Sequence, residues 1–165
     1  MYQTLKGKAL KYGDNINTDI ISPPQYMELS VEKASAYAMQ AVDPAFSARV
    51  ESGDIFVAGH NLGSGSSRET SPLSLKYLGI AAVVAKSFAR IFYRNCINIG
   101  LTAIECPETD AIFDGDVLEI DAEQGAIYNV SRAQRYSCGI IPGHIMKIIR
   151  SGGLRGLLIK QYGGK

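Results

Sequence analysis

Apolar residues occur in short blocks along the chain, and the blocks alternate with segments of helical composition. Continuous apolar runs at 54–58, 80–85 and 101–105 are typical of buried strands, and a loosely alternating run at 5–12 predicts another strand. Residues 68–78 and 87–95 lie between these runs and have helical composition, with Gly79 as a C-terminal cap. Strands that alternate with helices predict an α/β fold with a mainly parallel central sheet and flanking helices.

The last third of the chain has a different pattern. Polar turn sequences around 114–116 and 123–125 flank two apolar runs, at 117–121 and 126–130, which predict an antiparallel hairpin. A Pro-Gly pair precedes a helix predicted at 144–150. Gly152-Gly153 ends this helix, and 154–160 is expected to add one or two more helical turns.

A polar and proline-containing segment separates the first strand from the helices. It begins with Asn17-Thr18-Asp19, and Pro23-Pro24 predicts an ordered but irregular path to about residue 29. Segments of this kind often determine specificity. Ser30 can cap a helix predicted over 31–41, and Asp43-Pro44 opens a second short helix.

The length and charge of the chain argue against several classes of function. A chain of 165 residues with 46% apolar and 20% charged residues predicts one globular domain, 1–165. The formal net charge of +1 provides no field to attract nucleic acid or an anionic membrane. Because no run approaches the about 18 apolar residues of a membrane span, and 1–8 has no secretory signal core, we expect a cytoplasmic protein.

The three cysteines are expected to be reduced thiols. Cys96, Cys106 and Cys138 are odd in number and widely separated, which fits neither a disulfide framework nor a CxxC metal pair. Three cysteines are enough to hold an iron–sulfur cluster, but their spacing does not resemble a ferredoxin-type run.

The segment 59–69, GHNLGSGSSRE, predicts an anion-binding loop. Glycines such as Gly65 let the backbone approach a ligand closely, and the following helix presents free amides at its positive end. Arg68 adds a planar donor that suits a carboxylate or a phosphate, beside the hydroxyls of Ser66 and Ser67. The same residues are also compatible with an ordinary serine-rich helix cap and a surface arginine.

Three familiar loops do not fit this segment. It lacks the lysine of the phosphate-binding GxxxxGK[ST], and Arg68 stands at the third glycine of a dinucleotide GxGxxG. Neither serine has the flanking glycines of a hydrolase GxSxG elbow. His60 and His144 lack HxxH or HExxH spacing and favour structural roles, although His60 lies in the loop itself.

Three segments together resemble a known family. They are 17–19 (NTD), 58–69 (AGHNLGSGSSRE) and 85–95 (AKSFARIFYRN), and in this order they are similar to the small subunits of 3-isopropylmalate dehydratase and homoaconitase. These small subunits correspond to the swivelling C-terminal domain of aconitases. The resemblance covers most of the chain and implies a swivelling β/β/α domain.

The resemblance also implies a split active site. The domain closes over a large subunit, in a heterodimer or heterotetramer, and cysteines of that partner hold a [4Fe–4S] cluster, so this chain is expected to bind no metal or cofactor itself. Ser66 is the catalytic base by resemblance. Ser67 and Arg68 bind a carboxylate of the small dicarboxylate substrate, while Asp19 and Ser22 lie near the same site.

The activity that the resemblance implies is that of a hydro-lyase, which isomerises 2-isopropylmalate and 3-isopropylmalate by dehydration and rehydration in leucine biosynthesis. A base removes a proton beside a carboxylate while a Lewis acid on the partner takes the hydroxyl group. An ordinary serine is a weak base, so amides, Arg68 and the helix end must stabilise its alkoxide in a closed site.

Substrate choice in the family depends on the stretch after the aspartate, where aconitase and homoaconitase place an arginine for a distal carboxylate. This chain has no arginine between residues 19 and 49, so tricarboxylates are disfavoured and an alkyl group is favoured. The expected specificity loop consists of Gln25, Tyr26, Met27, Glu28 and Leu29. These side chains could instead face the domain core.

Glu28 and Ser64 depart from the family pattern. An inward Glu28 would repel a carboxylate and favour a smaller group, as in citramalate or dimethylmalate. Within the family, another alkylmalate or homoaconitase activity is the alternative. A serine at 64 replaces a common cysteine without affecting the expected base. A different class of protein, a regulatory module that binds a small carboxylate without chemistry, also fits the glycine loop.

Overall fold

The computed structural model describes residues 4–66 and 68–163. Strands within these ranges form one sheet with the order β4-β3-β2-β1-β5-β6-β7. The strands are β1 (Leu5–Lys11), β2 (Ile55–Val57), β3 (Ala82–Ala85), β4 (Thr102–Glu105), β5 (Val117–Asp121), β6 (Ala126–Asn129) and β7 (Gln134–Ser137).

Helices connect the strands of the first half and follow those of the second. Short 3₁₀ turns occur at Pro24–Tyr26 and Thr109–Ala111. The α-helices are α1 (Thr18–Ile21), α2 (Val31–Ser35), α3 (Phe46–Arg49), α4 (Thr70–Leu78), α5 (Arg90–Asn98), α6 (Gly143–Arg150) and α7 (Leu154–Tyr162).

The sheet has a parallel half and an antiparallel half that meet at β1. Strands β1 to β4 run parallel, with Leu10 opposite Phe56 and Val83 opposite both Phe56 and Ala103. On its other side β1 pairs antiparallel with β5, and β5, β6 and β7 form a meander. This confirms the predicted α/β class, with its parallel core and antiparallel hairpin.

Alternation along the strands gives the sheet two apolar faces. Leu10, Phe56 and Val83 face the core that α3, α4 and α5 cover, where Phe46, Leu75 and Phe92 are buried. The neighbouring residues Ala9, Ile55, Val57, Ala82 and Val84 face the opposite core, which also holds Leu118, Ile127 and Met146. Burial on both faces explains why these strands read as continuous apolar runs.

The predicted helix over 31–41 is wrong in length. Helix α2 ends at Ser35, and turns follow. Met39 has a left-handed backbone (φ 63°) and is fully buried, and its N–H donates to the carbonyl of Ile21 at 3.3 Å. Burial of this side chain overrides the helical propensity of the alanines around it.

Two further differences lie near strands. The segment that was expected to be helical from residue 87 stays extended to Ala89, where Phe88 forms a parallel bridge with Leu62, and α5 begins at Arg90. Strand β7 was not predicted, because in its sequence QRYS only Tyr136 is buried. Both segments are ordered by backbone pairing, Phe88 with Leu62 and β7 with β6, the strand that directly precedes it.

Across the described ranges, each helix is too short or too polar to cross a bilayer.

Candidate active site

The three family-like segments meet at one edge of the sheet. Because β1, β2 and β3 are parallel, their carboxyl ends lie side by side, and each strand delivers one segment there. The backbone N–H of Thr18 donates to the carbonyl of Ser64 at 2.8 Å, and that of Gly63 donates to Ile16 at 2.7 Å. On the other side Leu62 donates to Ser87 at 3.0 Å, so the glycine loop lies between the other two segments.

Two glycines make this loop possible. Gly63 has φ 86°, and a Cβ there would lie only 2.1 Å from Cγ of Phe92 in α5. Gly65 has φ 104°, and a Cβ there would lie 3.1 Å from Oγ1 of Thr18. The loop therefore packs closely against α5 and against the start of α1, in conformations that disfavour other residues.

The hydroxyl of Ser66 lies on the exposed side of this loop, between two side chains. Its Oγ is 3.1 Å from Oγ1 of Thr18, and either oxygen can be the donor. Nε of Arg68 donates to the same Oγ at 2.8 Å. Ser66 is thus accessible to a ligand while its oxygen is held from two directions.

Arg68 connects Ser66 to Asp19. One terminal nitrogen of the guanidinium forms an ion pair with the Asp19 carboxylate, while Nε contacts Ser66. Its side chain is 21% exposed and lies just before the N-terminus of α4, where the helix dipole also favours an anion. Ser67, predicted to bind the substrate, lies outside the described residues.

Ser22 lies in a small pocket beside Arg68. Its Oγ is buried and has no hydrogen-bond partner within the described part of the chain. Tyr26, Met27 and Leu29 line the same pocket, together with Arg68. An arginine and an unsatisfied hydroxyl thus lie against apolar walls, a combination of polar and apolar groups that is typical of small-molecule sites.

The specificity-loop residues divide into two groups. Tyr26 stacks on Tyr37 with ring centroids 3.9 Å apart, and Met27 and Leu29 are 57% and 42% exposed although they line the pocket. Gln25 and Glu28 are exposed and do not line it. Glu28 therefore does not point into the pocket.

Neither the histidines nor the cysteines line this pocket. His60 is exposed in the glycine loop, where its backbone N–H donates to Asp14 at 2.7 Å, and His144 is exposed in the first turn of α6. Burial raises the pKa of the Cys96 and Cys106 thiols, and raises that of Cys138 to about 11. Protonated thiols are poor metal ligands.

No group of three or more His, Cys, Asp or Glu side chains suited to a metal ion occurs in the described ranges. Cys96 lies in the core on the α5 side of the sheet, whereas Cys106 and Cys138 belong to the opposite core. These residues therefore do not fit an iron–sulfur cluster.

A second cavity, of about 390 Å³, lies at the carboxyl end of β4. Phe88, Arg90, Tyr93, Glu105 and Ile140 are among its lining residues. It contains none of the residues that were predicted from the sequence to bind substrate. We place the candidate site at the smaller pocket, because it is lined by Ser22 and by Arg68, which also contacts Ser66.

Thr18 is the residue of this site that sequence reasoning missed. Asn17, Thr18 and Asp19 were expected to form a polar loop, but Asn17 caps α1, with its Oδ1 accepting from the N–H of Ile20 at 2.8 Å. Thr18 and Asp19 are thereby fixed in the first turn, pointing to Ser66 and Arg68. The sequence signal was present, since an asparagine before Thr-Asp-Ile-Ile is a typical helix start.

Comparison with known proteins decides the family. A family model described as the aconitase C-terminal domain matches residues 3–109. The 3-isopropylmalate dehydratase small subunit of Hydrogenobaculum sp. is 50% identical over 153 residues, 91% of this chain and 93% of that protein. The small subunit 1 from Archaeoglobus fulgidus is 48% identical over 149 residues, covering 90% and 92%.

The chain belongs to the family of 3-isopropylmalate dehydratase small subunits. This is a family of hydro-lyases in the aconitase superfamily, as the resemblance predicted. A solved structure of 3-isopropylmalate dehydratase from Methanocaldococcus jannaschii is 42% identical and superimposes with a TM-score of 0.91 over 96% of this chain and 95% of that one. Aconitase X from Thermococcus kodakaraensis shares the fold at 12% identity, with a TM-score of 0.52.

Proposed function

We propose that this chain is the small subunit of an enzyme that interconverts 2-isopropylmalate and 3-isopropylmalate, a step of leucine biosynthesis, and that it supplies the catalytic base, Ser66. The single observation that carries the proposal is the Ser66 hydroxyl, held by Arg68 and Thr18 beside a pocket with apolar walls. Close relatives that carry the dehydratase name support it.

The chemistry begins with the substrate carboxylate at Arg68. The guanidinium that now pairs with Asp19 would instead bind the incoming carboxylate, with Ser67 as a second ligand by resemblance. Deprotonated Ser66 then accepts the proton from the adjacent carbon, the electrons of the C–H bond form the alkene, and hydroxide leaves from the neighbouring carbon. Rehydration in the opposite sense gives the isomer.

The departing hydroxyl needs a Lewis acid that this chain does not carry. By family resemblance, a [4Fe–4S] cluster in a larger partner subunit supplies it. The residues of this chain bind and orient the substrate and hold the proton at Ser66. Closure of the partner over the exposed loop would exclude water and strengthen these contacts.

Replacement of Ser66 by alanine tests the proposal. In complex with the larger subunit, Ser66→Ala should lower kcat by 10² to 10⁴-fold, the usual contribution of a single base, and leave assembly intact. Ser64→Ala, in the same loop, is the matched control and should stay within about threefold of wild type. If Ser66→Ala retains more than about a tenth of wild-type activity, Ser66 is not the base.

A second candidate substrate is a methyl-substituted malate, such as citramalate or dimethylmalate. One observation favours it: the enclosed space of the pocket is about 20 Å³, room for about one water molecule, so a methyl group would need less rearrangement of the pocket than an isopropyl group. Against it, Glu28 lies outside the pocket, so the repulsion that would select a smaller substrate is missing. Met27 and Leu29 are exposed at the pocket and can enclose a larger group when the partner covers them.

A competition between substrates separates the two candidates. For an isopropylmalate enzyme, kcat/KM should be at least about tenfold higher with isopropylmalate than with citramalate, because methyl groups in an apolar pocket contribute about 1–3 kcal/mol each. Equal or reversed values would favour the methyl-substituted substrate. Binding of either acid by the chain alone, without turnover in any complex, would favour a regulatory module.

A further inference from the structure

Thr18 is a polar residue with only 1% of its surface exposed, at the first position of α1. Its backbone groups are both bonded. The N–H donates to the Ser64 carbonyl at 2.8 Å, and its carbonyl accepts from the Ser22 N–H at 2.8 Å and from the Ser71 hydroxyl at 3.2 Å. These bonds fix Thr18 relative to the glycine loop and α4.

The Thr18 hydroxyl points at Ser66. Its Oγ1 lies 3.1 Å from Ser66 Oγ, although the two residues are 48 positions apart in sequence. Gly65 makes this approach possible, because even a Cβ at that position would come within 3.1 Å of the same Oγ1. Two independent features, a buried hydroxyl and a side-chain-free neighbour, therefore converge on this contact.

The protonation state of Ser66 determines which of the two hydroxyls donates the hydrogen bond. Nε of Arg68 is always a donor, and it donates to Ser66 Oγ at 2.8 Å. While Ser66 is neutral, either hydroxyl can donate to the other. Once Ser66 has lost its proton its oxygen can only accept, so the hydrogen bond exists only if Thr18 donates.

We propose that Thr18 is a positioning residue for Ser66, and that its hydroxyl donates a hydrogen bond to the deprotonated serine. The inference rests on the proposed function, in which Ser66 is the base. Thr18 and Arg68 then give the alkoxide two donors that are in place before the substrate arrives. Hydrogen bonds to an ionised oxygen are about twice as strong as those between neutral groups.

Valine and serine at position 18 test the proposal. In complex with the larger subunit, Thr18→Val keeps the shape and removes the donor, and it should lower kcat by about 100-fold, the loss typical of one preorganised donor, with KM within about threefold. Thr18→Ser restores the hydroxyl and should recover at least about a third of wild-type kcat. Wild-type kcat in Thr18→Val, or a serine variant as slow as the valine variant, would overturn the proposal.

The Ser66→Ala background shows whether Thr18 acts through Ser66. The double variant Thr18→Val/Ser66→Ala should be no slower than Ser66→Ala, because the donor then has no base to stabilise. A further loss of rate in the double variant would mean that Thr18 acts on another group. Activity in Ser66→Ala would refute Ser66 as the base, whereas inactive Ser66→Ala with active Thr18→Val would refute only the role of Thr18.

A folding control accompanies these rates. Thermal unfolding and co-purification with the larger subunit should be close to wild type for Thr18→Val, since the change leaves the backbone bonds of residue 18 in place. If valine does not fit, Thr18→Ala removes the same donor without adding a methyl group. A loss of kcat that only follows a loss of folded protein would assign Thr18 to stability and overturn the proposal.

Discussion

At the residue scale, the site consists of an exposed serine controlled by two very different neighbours. Arg68 is two residues away on the same loop, and Thr18 is the first residue of α1, which follows β1. Asp19 pairs with Arg68 at the position where a substrate carboxylate would bind. Arg68 therefore contacts the proposed base and also lies at the proposed binding position of the substrate carboxylate.

This dual role makes Arg68 sensitive to a change that preserves its charge. Arg68→Lys should lower kcat/KM on the order of 100-fold, because lysine lacks the planar fork that reaches Ser66 and a carboxylate together. The thermal midpoint should change little, since Asp19 is 57% exposed and such ion pairs contribute about 0–1 kcal/mol. Steady-state kinetics and calorimetry check both expectations.

Arg155 provides the control for that substitution. It is an exposed arginine on α7, and Arg155→Lys should match wild type in both assays. A lysine at 68 that sustains wild-type kcat/KM would contradict the assignment of Arg68 to carboxylate binding.

At the element scale, the glycine loop depends on its contact with α5. Gly63→Ala would place a Cβ 2.1 Å from the ring of Phe92, at φ 86°, so it should destabilise the fold by about 1–3 kcal/mol and displace the loop that carries Ser66. Gly13→Ala is the matched control, because no atom lies within 4 Å of a Cβ at that position. Chemical denaturation and activity should both distinguish the two variants.

In the antiparallel half of the sheet, the buried carboxylate of Asp116 accepts several hydrogen bonds. Its carboxylate accepts from Arg132 at 2.7 Å, from Asn129 at 2.9 Å and from the N–H of Phe113 at 2.9 Å. Burial by itself raises the pKa of Asp116, but these hydrogen bonds outweigh it and lower the pKa below the ordinary value of 3.8. The carboxylate therefore stabilises the fold above pH 3.8 and loses this contribution as the pH falls through its folded pKa.

Asp116→Asn should therefore lower the free energy of unfolding by about 1–3 kcal/mol at pH 7, because the buried amide of Asn129 and the guanidinium of Arg132 lose their charged acceptor. The difference from wild type should shrink when the pH falls below 3.8. Urea unfolding at both pH values measures it, with Glu32→Gln, at an exposed carboxylate on α2, as a control. A pH-independent difference would show that ionisation of Asp116 is not responsible.

Sequence patterns predicted the strands that are apolar on both faces and missed the features that depend on backbone pairing or on a tertiary contact. The runs behind β2, β3 and β4 are apolar on both faces, so their prediction needed no tertiary information. Strand β7 buries only Tyr136 and forms through backbone pairing with β6, which leaves no periodic signal. The left-handed Met39 likewise follows from its contact with Ile21 rather than from its neighbours in sequence.

At the whole-molecule scale, the proposed function assigns one half of a reaction site to this chain. Ser66 is exposed, and the described residues offer no metal ligand cluster. Sequence resemblance supplied Ser66, Arg68, Asp19 and Ser22 as a set, and the structure brings the first three into direct contact, with Ser22 in the pocket that Arg68 lines. The Thr18 contact could not be predicted from spacing, because a bond across 48 residues depends on the parallel pairing of β1 and β2.

The isolated chain should therefore be inactive. We expect no detectable dehydration of isopropylmalate by this subunit alone, and turnover when a cluster-bearing larger subunit is added under anaerobic conditions. Absorbance of the unsaturated intermediate and size-exclusion chromatography measure activity and association. Turnover by the purified chain without a partner would contradict the split site.

The position of β1 has a consequence for how the chain can be divided. Every residue proposed for chemistry precedes residue 109, where the match to the aconitase C-terminal domain model ends, yet β5 begins at Val117 and pairs with Leu5–Lys8. A shortened protein that ended at residue 109 would keep the side chains proposed for chemistry but leave that side of β1 with unpaired peptide groups. We expect it to self-associate, because an unpaired strand edge can pair with another chain. The residues proposed for chemistry thus lie before residue 109, whereas the strand that covers the edge of β1 lies after it.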